Sequence, residues 1–415
     1  MAGLDELLQL MARVGASDLH LSPGLQPLLR LHGRVVRHDK HPELREEQIA
    51  NWLRAILPPR NRTELEEKLD TDFAYELDGV GRFRVNVFHD RLGTSAAFRL
   101  VPARVPRCEE LGLPPVVDEL CRLSKGLVVV TGPTGAGKST TLAAMIDRIN
   151  RTRSQHIITI EDPIEFVHPS QGCLVHQREV GRHALSFRRA LRAALREDPD
   201  VLLVGEMRDL ETMRSAIEMA ATGHLVFGTL HTATAAGAVD RIIDQYPPAE
   251  QAQIRTMLAD SLRAVVAQTL LRRKDGKGQV AAFEVLVVTP AVAAHVREGK
   301  THAIASAIQT GTKYGMQTMG DAIAAHVVAG RVDPAEAYLK AVDKTALLAR
   351  LHAAGIAFEP DGAEALAHAS ATPAAPAAPA AARRSGGGSG RSRRQAKAAR
   401  FDDFETYRAR RLGER

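Results

Sequence analysis

Residues 132–140 read Gly132-Pro133-Thr134-Gly135-Ala136-Gly137-Lys138-Ser139-Thr140, directly after the apolar run Leu127-Val128-Val129-Val130-Thr131 and before a stretch patterned as a helix from about Ser139. Glycines at this spacing, closed by Lys-Ser between a strand and a helix, form the phosphate-binding loop pattern. The glycines let the backbone curl until successive N–H groups face phosphate oxygens, and the helix N-terminus adds its dipole. In such a loop Lys138 neutralises the β/γ region of a nucleotide triphosphate and Ser139 holds Mg²⁺, so ATP and Mg²⁺ are expected.

A phosphate loop alone does not separate hydrolysis from phosphoryl transfer to a small metabolite, so nearby acids must decide. The apolar run 201–204 ends in Gly205-Glu206, preceded by Asp198, Pro199 and Asp200. A carboxylate at the carboxyl end of a buried strand beside the loop strand can hold the Mg²⁺ shell through water and polarise a nucleophile. Glu206 could instead cap the helix that follows. A second acidic cluster, Glu161-Asp162-Pro163-Ile164-Glu165, ends the apolar run 157–160 and opens on the same sheet edge. General-base catalysis needs an acid within one water of the γ-phosphate, and Pro163 fixes the turn that would aim Glu165. His231 lies at the exit of a third apolar strand, 225–227, where an imidazole can sense the γ-phosphate or be hydrogen-bonded structure.

Apolar runs alternating with helical segments beyond residue 116 predict an α/β domain with a mostly parallel sheet covered on both faces. Ahead of it, Leu4, Leu7, Leu8 and Met11 share a helical face, with Gly15 as the stop, and Phe83, Val85 and Val87 share a strand face; this reads as a smaller α+β domain. Pro102, Pro106, Pro114 and Pro115 mark a boundary. The expected division is therefore 1–100, a linker at 101–115, 116–355, and a mostly disordered Ala/Pro/Gly/Ser-rich basic tail at 356–415.

At 45% apolar and 25% charged residues, with no long apolar span and an acidic rather than basic N-terminus, neither a membrane helix nor a signal peptide is expected. Cys108, Cys121 and Cys173 are an odd set with no C-x-x-C spacing, so neither a disulfide framework nor a tetrahedral zinc site is expected. Residues 383–415 hold eleven Lys or Arg against four acids, or +7, whereas the whole chain is +6. The other residues therefore sum to about −1, and no nucleic-acid groove is expected on the folded body.

The loop at 132–140, the acidic box ITIEDPIEF at 158–166, the stretch REDPDVLLVGEMRD at 196–209 and the box TGHLVFGTLH at 222–231 together resemble the secretion ATPase superfamily. Within it, GASDLHLS at 15–22, SAIQTG at 306–311 and GMQT at 315–318 are similar to the type IV pilus retraction (twitching motility) ATPases. That resemblance covers about residues 4–350. It implies a homohexamer whose subunits join a PAS-like domain to a RecA-like ATPase domain. Such a motor works at the cytoplasmic face of the inner membrane, on the pilus platform protein, and drives pilin depolymerisation; a paralogous retraction ATPase is a further partner the family admits.

By motif, the resemblance makes Lys138 the phosphate-binding lysine, Glu165 the catalytic glutamate, Glu206 the Walker B acid and His231 the histidine of its box. It also implies an N-terminal-domain arginine at the nucleotide, for which Arg82, Arg84, Arg91 and Arg99 are candidates. The segment LRRKDGKGQV at 271–280 offers only a short basic turn where assembly and secretion ATPases carry a four-cysteine zinc loop, which points to retraction. The segment AVAAHVRE at 291–298 keeps Arg297 and Glu298 of the family's AIRNLIRE but lacks its Arg-Asn pair, leaving an accessory retraction role open beside extension or secretion. A small-molecule kinase is the reading from a different enzyme class.

Overall fold

The computed structural model describes residues 2–31, 34–101 and 104–360; the predicted basic tail beyond residue 360 lies outside the described residues. The chain divides into two compact units, with the break between Ala103 and Arg104.

The first unit runs α1 (Ala2–Val14), β1 (Asp18–Leu21), β2 (Leu28–Leu31), β3 (Arg34–Arg37), α2 (Glu46–Ile56), α3 (Pro59–Lys68), β4 (Asp70–Leu77), β5 (Gly81–Asp90) and β6 (Gly93–Leu100). Its strands form one antiparallel sheet in the order β3-β2-β1-β6-β5-β4. Leu4, Leu7, Leu8 and Met11 are buried with Phe83, Val85 and Val87 in one core, as their helical and alternating spacings require. Gly15, at φ 70°, ends α1 in the left-handed conformation open to glycine.

The second unit runs α4 (Val116–Arg122), β7 (Gly126–Thr131), α5 (Lys138–Thr152), β8 (His156–Glu161), β9 (Leu174–Glu179), α6 (Phe187–Ala194), β10 (Val201–Val204), α7 (Leu210–Ala221), β11 (Leu225–Leu230), α8 (Ala235–Asp244) and α9 (Pro248–Ser261). It continues through β12 (Leu262–Arg272), β13 (Gln279–Val287), α10 (Pro290–Arg297), α11 (Ile304–Thr310), α12 (Met319–Val328), α13 (Pro334–Lys340) and α14 (Lys344–Ala353).

The sheet order is β13-β12-β7-β11-β10-β8-β9. All neighbours are parallel except β12 and β13, which form a hairpin, so the expected mostly parallel sheet is present with one antiparallel edge. Side chains alternate across it. Leu127, Val129, Ile158, Ile160, Leu202 and Val204 pack toward α6, α7, α8 and α9, whereas Val128, Val130, Ile157, Leu203 and Phe227 pack toward α4 and α5. Both faces are therefore dry, which explains why these strands read as unbroken apolar runs. The basic stretch 271–280 is the tip of the β12–β13 hairpin with the last residues of each strand.

Candidate active site

Four adjacent parallel strands deliver the predicted residues to one edge. In the order β7, β11, β10 and β8, the segments leaving their carboxyl ends are the loop 132–137, His231, Gly205-Glu206 and the turn 161–165. Strand ends in such a sheet converge on one crevice, so residues almost a hundred positions apart meet.

The loop is held tightly. Gly132 has φ 150°, and a Cβ there would lie 2.4 Å from the Gln268 carbonyl oxygen. Gly137, at φ 84°, hands the chain to α5. The Gln268 side-chain amide donates to the Ala136 carbonyl, tying the loop to β12. Pro133, Thr134 and Gly135 are exposed, Ala136 is buried, and Thr140 is half-buried on the first turn of α5. Ser139 is exposed there, and its hydroxyl makes no hydrogen bond among the described residues.

Lys138 is buried and donates from Nζ to Gly132 O (2.9 Å) and Pro133 O (3.1 Å), and reaches His231 Nδ1 at 3.4 Å. His231 Nε2 is 2.7 Å from Glu206 Oε1. With the ammonium donating to Nδ1, the ring proton sits on Nε2 and goes to the carboxylate. Arg208 Nε closes the chain at 2.5 Å from the same Glu206 oxygen.

Burial pushes the Lys138 ammonium below its ordinary value, and the charges of Glu206 and Glu165 partly offset that. Burial likewise favours protonation of Glu206, but hydrogen bonds from Arg208 and His231 more than compensate and hold its carboxyl below the usual range. Glu206 is therefore ionised, and it does not cap α7: Asp209 does, accepting from the Thr212 N–H. Glu165 is exposed, and its carboxylate makes no hydrogen bond or ion pair among the described residues. Glu161 is different. Burial raises its carboxyl against hydrogen bonds from Thr159, Gln177 and the Glu165 N–H.

The four candidate arginines all lie in the first unit. Arg82 and Arg84 are on β5, Arg91 is in the turn after it and Arg99 is on β6. Arg84 and Arg91 are exposed, with no hydrogen bond or ion pair among the described residues. Arg99 is committed elsewhere: its Nε lies 2.8 Å from Oδ1 of the buried Asp18. Burial raises the Asp18 carboxyl, but Ser17 and Arg99 outweigh this and leave it below its ordinary 3.8. A depressed carboxyl contributes stability that is complete above the unfolded value and lost as pH falls through the folded one. Arg99→Ala should therefore destabilise the chain by about 1–2 kcal/mol near neutral pH, modestly because the guanidinium is exposed to solvent screening. Urea unfolding should show this deficit shrinking as pH drops below the ordinary aspartate range.

Sequence reasoning assigned no role to Arg208, Gln268 or Thr229, whose hydroxyl donates to Gly205 O at 2.5 Å. Arg208 stands two residues after the acid it pairs with, and Gln268 interrupts an apolar run; those were the available signals. Cys108, Cys121 and Cys173 are buried free thiols, and no cluster of His, Cys, Asp or Glu among the described residues forms a metal cage. The exposed Ser139 hydroxyl and the ionised Glu206 carboxylate are instead donor types suited to Mg²⁺ that takes most of its ligands from phosphate and water.

Residues 4–349 match the family described as type II/IV secretion system protein. The type IV pilus retraction ATPase PilT of Pseudomonas aeruginosa is 51% identical over 338 residues, 81% of this chain and 98% of that protein. A twitching motility protein of Neisseria gonorrhoeae is 49% identical over 76% of this chain and 84% of its own length. Among solved structures, the crystal structure of the pilus retraction motor PilT with bound ADP superposes with a TM-score of 0.78 at 44% identity, covering 82% of this chain and 98% of that one.

Proposed function

The chain belongs to the type II/IV secretion system protein family, and on that premise we propose that it is an ATP-hydrolysing motor that powers retraction of a type IV pilus. It works as a homohexamer in the cytoplasm, against a platform protein of the inner membrane. The likeness to a retraction ATPase over nearly the whole of that protein supports this reading above extension, secretion or an accessory role. We retain the division into 1–100, 101–115 and 116–355 as part of it.

One observation carries the chemistry: His231 joins Lys138 of the phosphate-binding loop (3.4 Å) to Glu206 (2.7 Å), and the charge of Glu165, from the turn after the neighbouring β8, acts on the same ammonium. In this reading the N–H groups of residues 132–140 and the Lys138 ammonium bind the phosphates. The Ser139 hydroxyl and, through water, Glu206 hold Mg²⁺. Such an ion would supply positive charge to offset that of the triphosphate. Glu165, whose carboxylate has no partner among the described residues, takes a proton from water as the water oxygen bonds to the γ-phosphorus and the bond to the ADP oxygen breaks. His231 joins Lys138 to Glu206 and so links phosphate occupancy to the Arg208 pair. Of the four arginines, Arg84 and Arg91 are the ones without a competing partner among the described residues, which favours them to serve a nucleotide.

A strain lacking this chain tests the direction of force. Surplus surface pili with lost twitching is the expected phenotype, whereas bald cells would assign an extension motor. Phosphate release by purified protein without any acceptor excludes the small-molecule kinase.

A further inference from the structure

The turn carrying Glu165 is gripped by a polar tile at the end of β8 and β9. Thr159 and Glu161 on β8 stand directly opposite Gln177 and Glu179 on β9. Because alternate residues of a strand share a face, the four side chains lie together. Three of them reach the turn at successive residues. The Glu179 Oε2 accepts from Ile164 N–H (3.2 Å), the Glu161 carboxylate from Glu165 N–H, the Gln177 amide nitrogen donates to Phe166 O (2.8 Å), and its oxygen accepts from His168 N–H (2.7 Å). The tile also binds itself: Thr159 Oγ1 donates to Glu161 Oε1 at 2.6 Å and Gln177 Nε2 donates to the same oxygen at 3.3 Å. These partners fix the amide orientation of Gln177, since a flipped amide would set its oxygen against a carbonyl and a carboxylate.

Ile164 and Phe166 are buried on either side of the exposed Glu165, so the turn is pinned by apolar side chains as well as by its backbone. Two largely buried carboxylates, a threonine and a glutamine are a costly choice beside the apolar runs of β8 and β10. Beyond the bonds within the tile, Gln177 and Glu179 bond the backbone of one short segment, the segment that carries Glu165.

We propose that Gln177, with Glu161 and Glu179, is a positioning residue that aims Glu165 at the γ-phosphate. This rests on the assignment of Glu165 as the base. A 1 Å misplacement of a catalytic group costs on the order of 100-fold in rate, so the loss should appear in turnover and not in binding.

The test is radiolabelled phosphate release by full-length Gln177→Met, Glu165→Gln and the double variant, beside affinity for a fluorescent ADP analogue. Gln177→Met should lose about 10- to 100-fold in kcat, with KM and ADP affinity within about two-fold of the parent. If Gln177 acts through Glu165, the double variant is no slower than Glu165→Gln alone. Multiplying losses, or an unchanged kcat in Gln177→Met while Glu165→Gln is crippled, overturns the proposal. Full turnover in Glu165→Gln overturns the underlying assignment instead. Glu179→Gln, which keeps an acceptor for the Ile164 N–H, should retain more turnover than Glu179→Ala; equal rates in those two also count against it.

Discussion

Glu165→Gln should lower ATP turnover by about 10²- to 10⁴-fold, the usual contribution of a positioned general base, while nucleotide affinity stays within a few-fold of the parent. The two acids of the site differ in a way that makes this sharp. Glu206 is tied to His231 and Arg208, and those hydrogen bonds keep it ionised. A carboxylate already satisfied by two donors is a poor proton acceptor but a good anchor for water around a cation. Glu165 has no side-chain partner among the described residues, and yet its charge is felt at Lys138. The amide of glutamine preserves its size and removes its basicity, so the loss measures proton transfer and not packing. Glu206→Gln, by contrast, should raise the Mg²⁺ concentration needed for half-maximal turnover as well as lower turnover, because it removes the negative charge that helps hold the ion and on which His231 and Arg208 converge. Steady-state rates across a Mg²⁺ titration separate the two. Equal turnover in Glu165→Gln and the parent would remove Glu165 from the mechanism.

Much of this site was legible because its chemistry is local. The glycines of residues 132–137, the acid after each apolar run and the histidine after β11 are each one short segment whose strand context fixes its place on the sheet edge. What could not be read is what the fold brings from a distance. Gln268 reaches the loop from β12, and β12 and β13 escaped notice because their runs, with Arg, Gln and Glu inside them, break the apolar pattern that flagged the central strands. Gln177 escaped for the same reason: β9 is an edge strand, and LVHQRE alternates too weakly to stand out. Arg99 shows the converse limit. Its residue type and strand fitted a nucleotide contact, but its partner, Asp18, is 81 residues away and visible only after β1 and β6 pair.

Gly132→Ala should be the most damaging of the glycine-to-alanine changes in residues 132–137, although it adds a single methyl group. Two costs add there. The backbone sits at φ 150°, where a side chain is strained, and the new Cβ would come to 2.4 Å from the carbonyl oxygen of Gln268. That neighbour is backbone of β12, paired with β7 on one side and β13 on the other, and it has nowhere to go. The loop must move instead, and its N–H groups lose their aim at the phosphates. Strain of about 1–3 kcal/mol and a displacement near 1 Å together predict a rise of about 10- to 100-fold in the Kd for ATP. Gly135→Ala is the control. Its φ of 78° carries conformational strain, but nothing lies within 4 Å of the added Cβ. Its affinity loss should therefore reflect strain alone, about 1–2 kcal/mol, and remain below that of Gly132→Ala. Isothermal titration of both variants reads the difference directly. If Gly132→Ala binds ATP as tightly as Gly135→Ala, then close packing against β12 is not what shapes the loop, and its curvature must come from its own glycines.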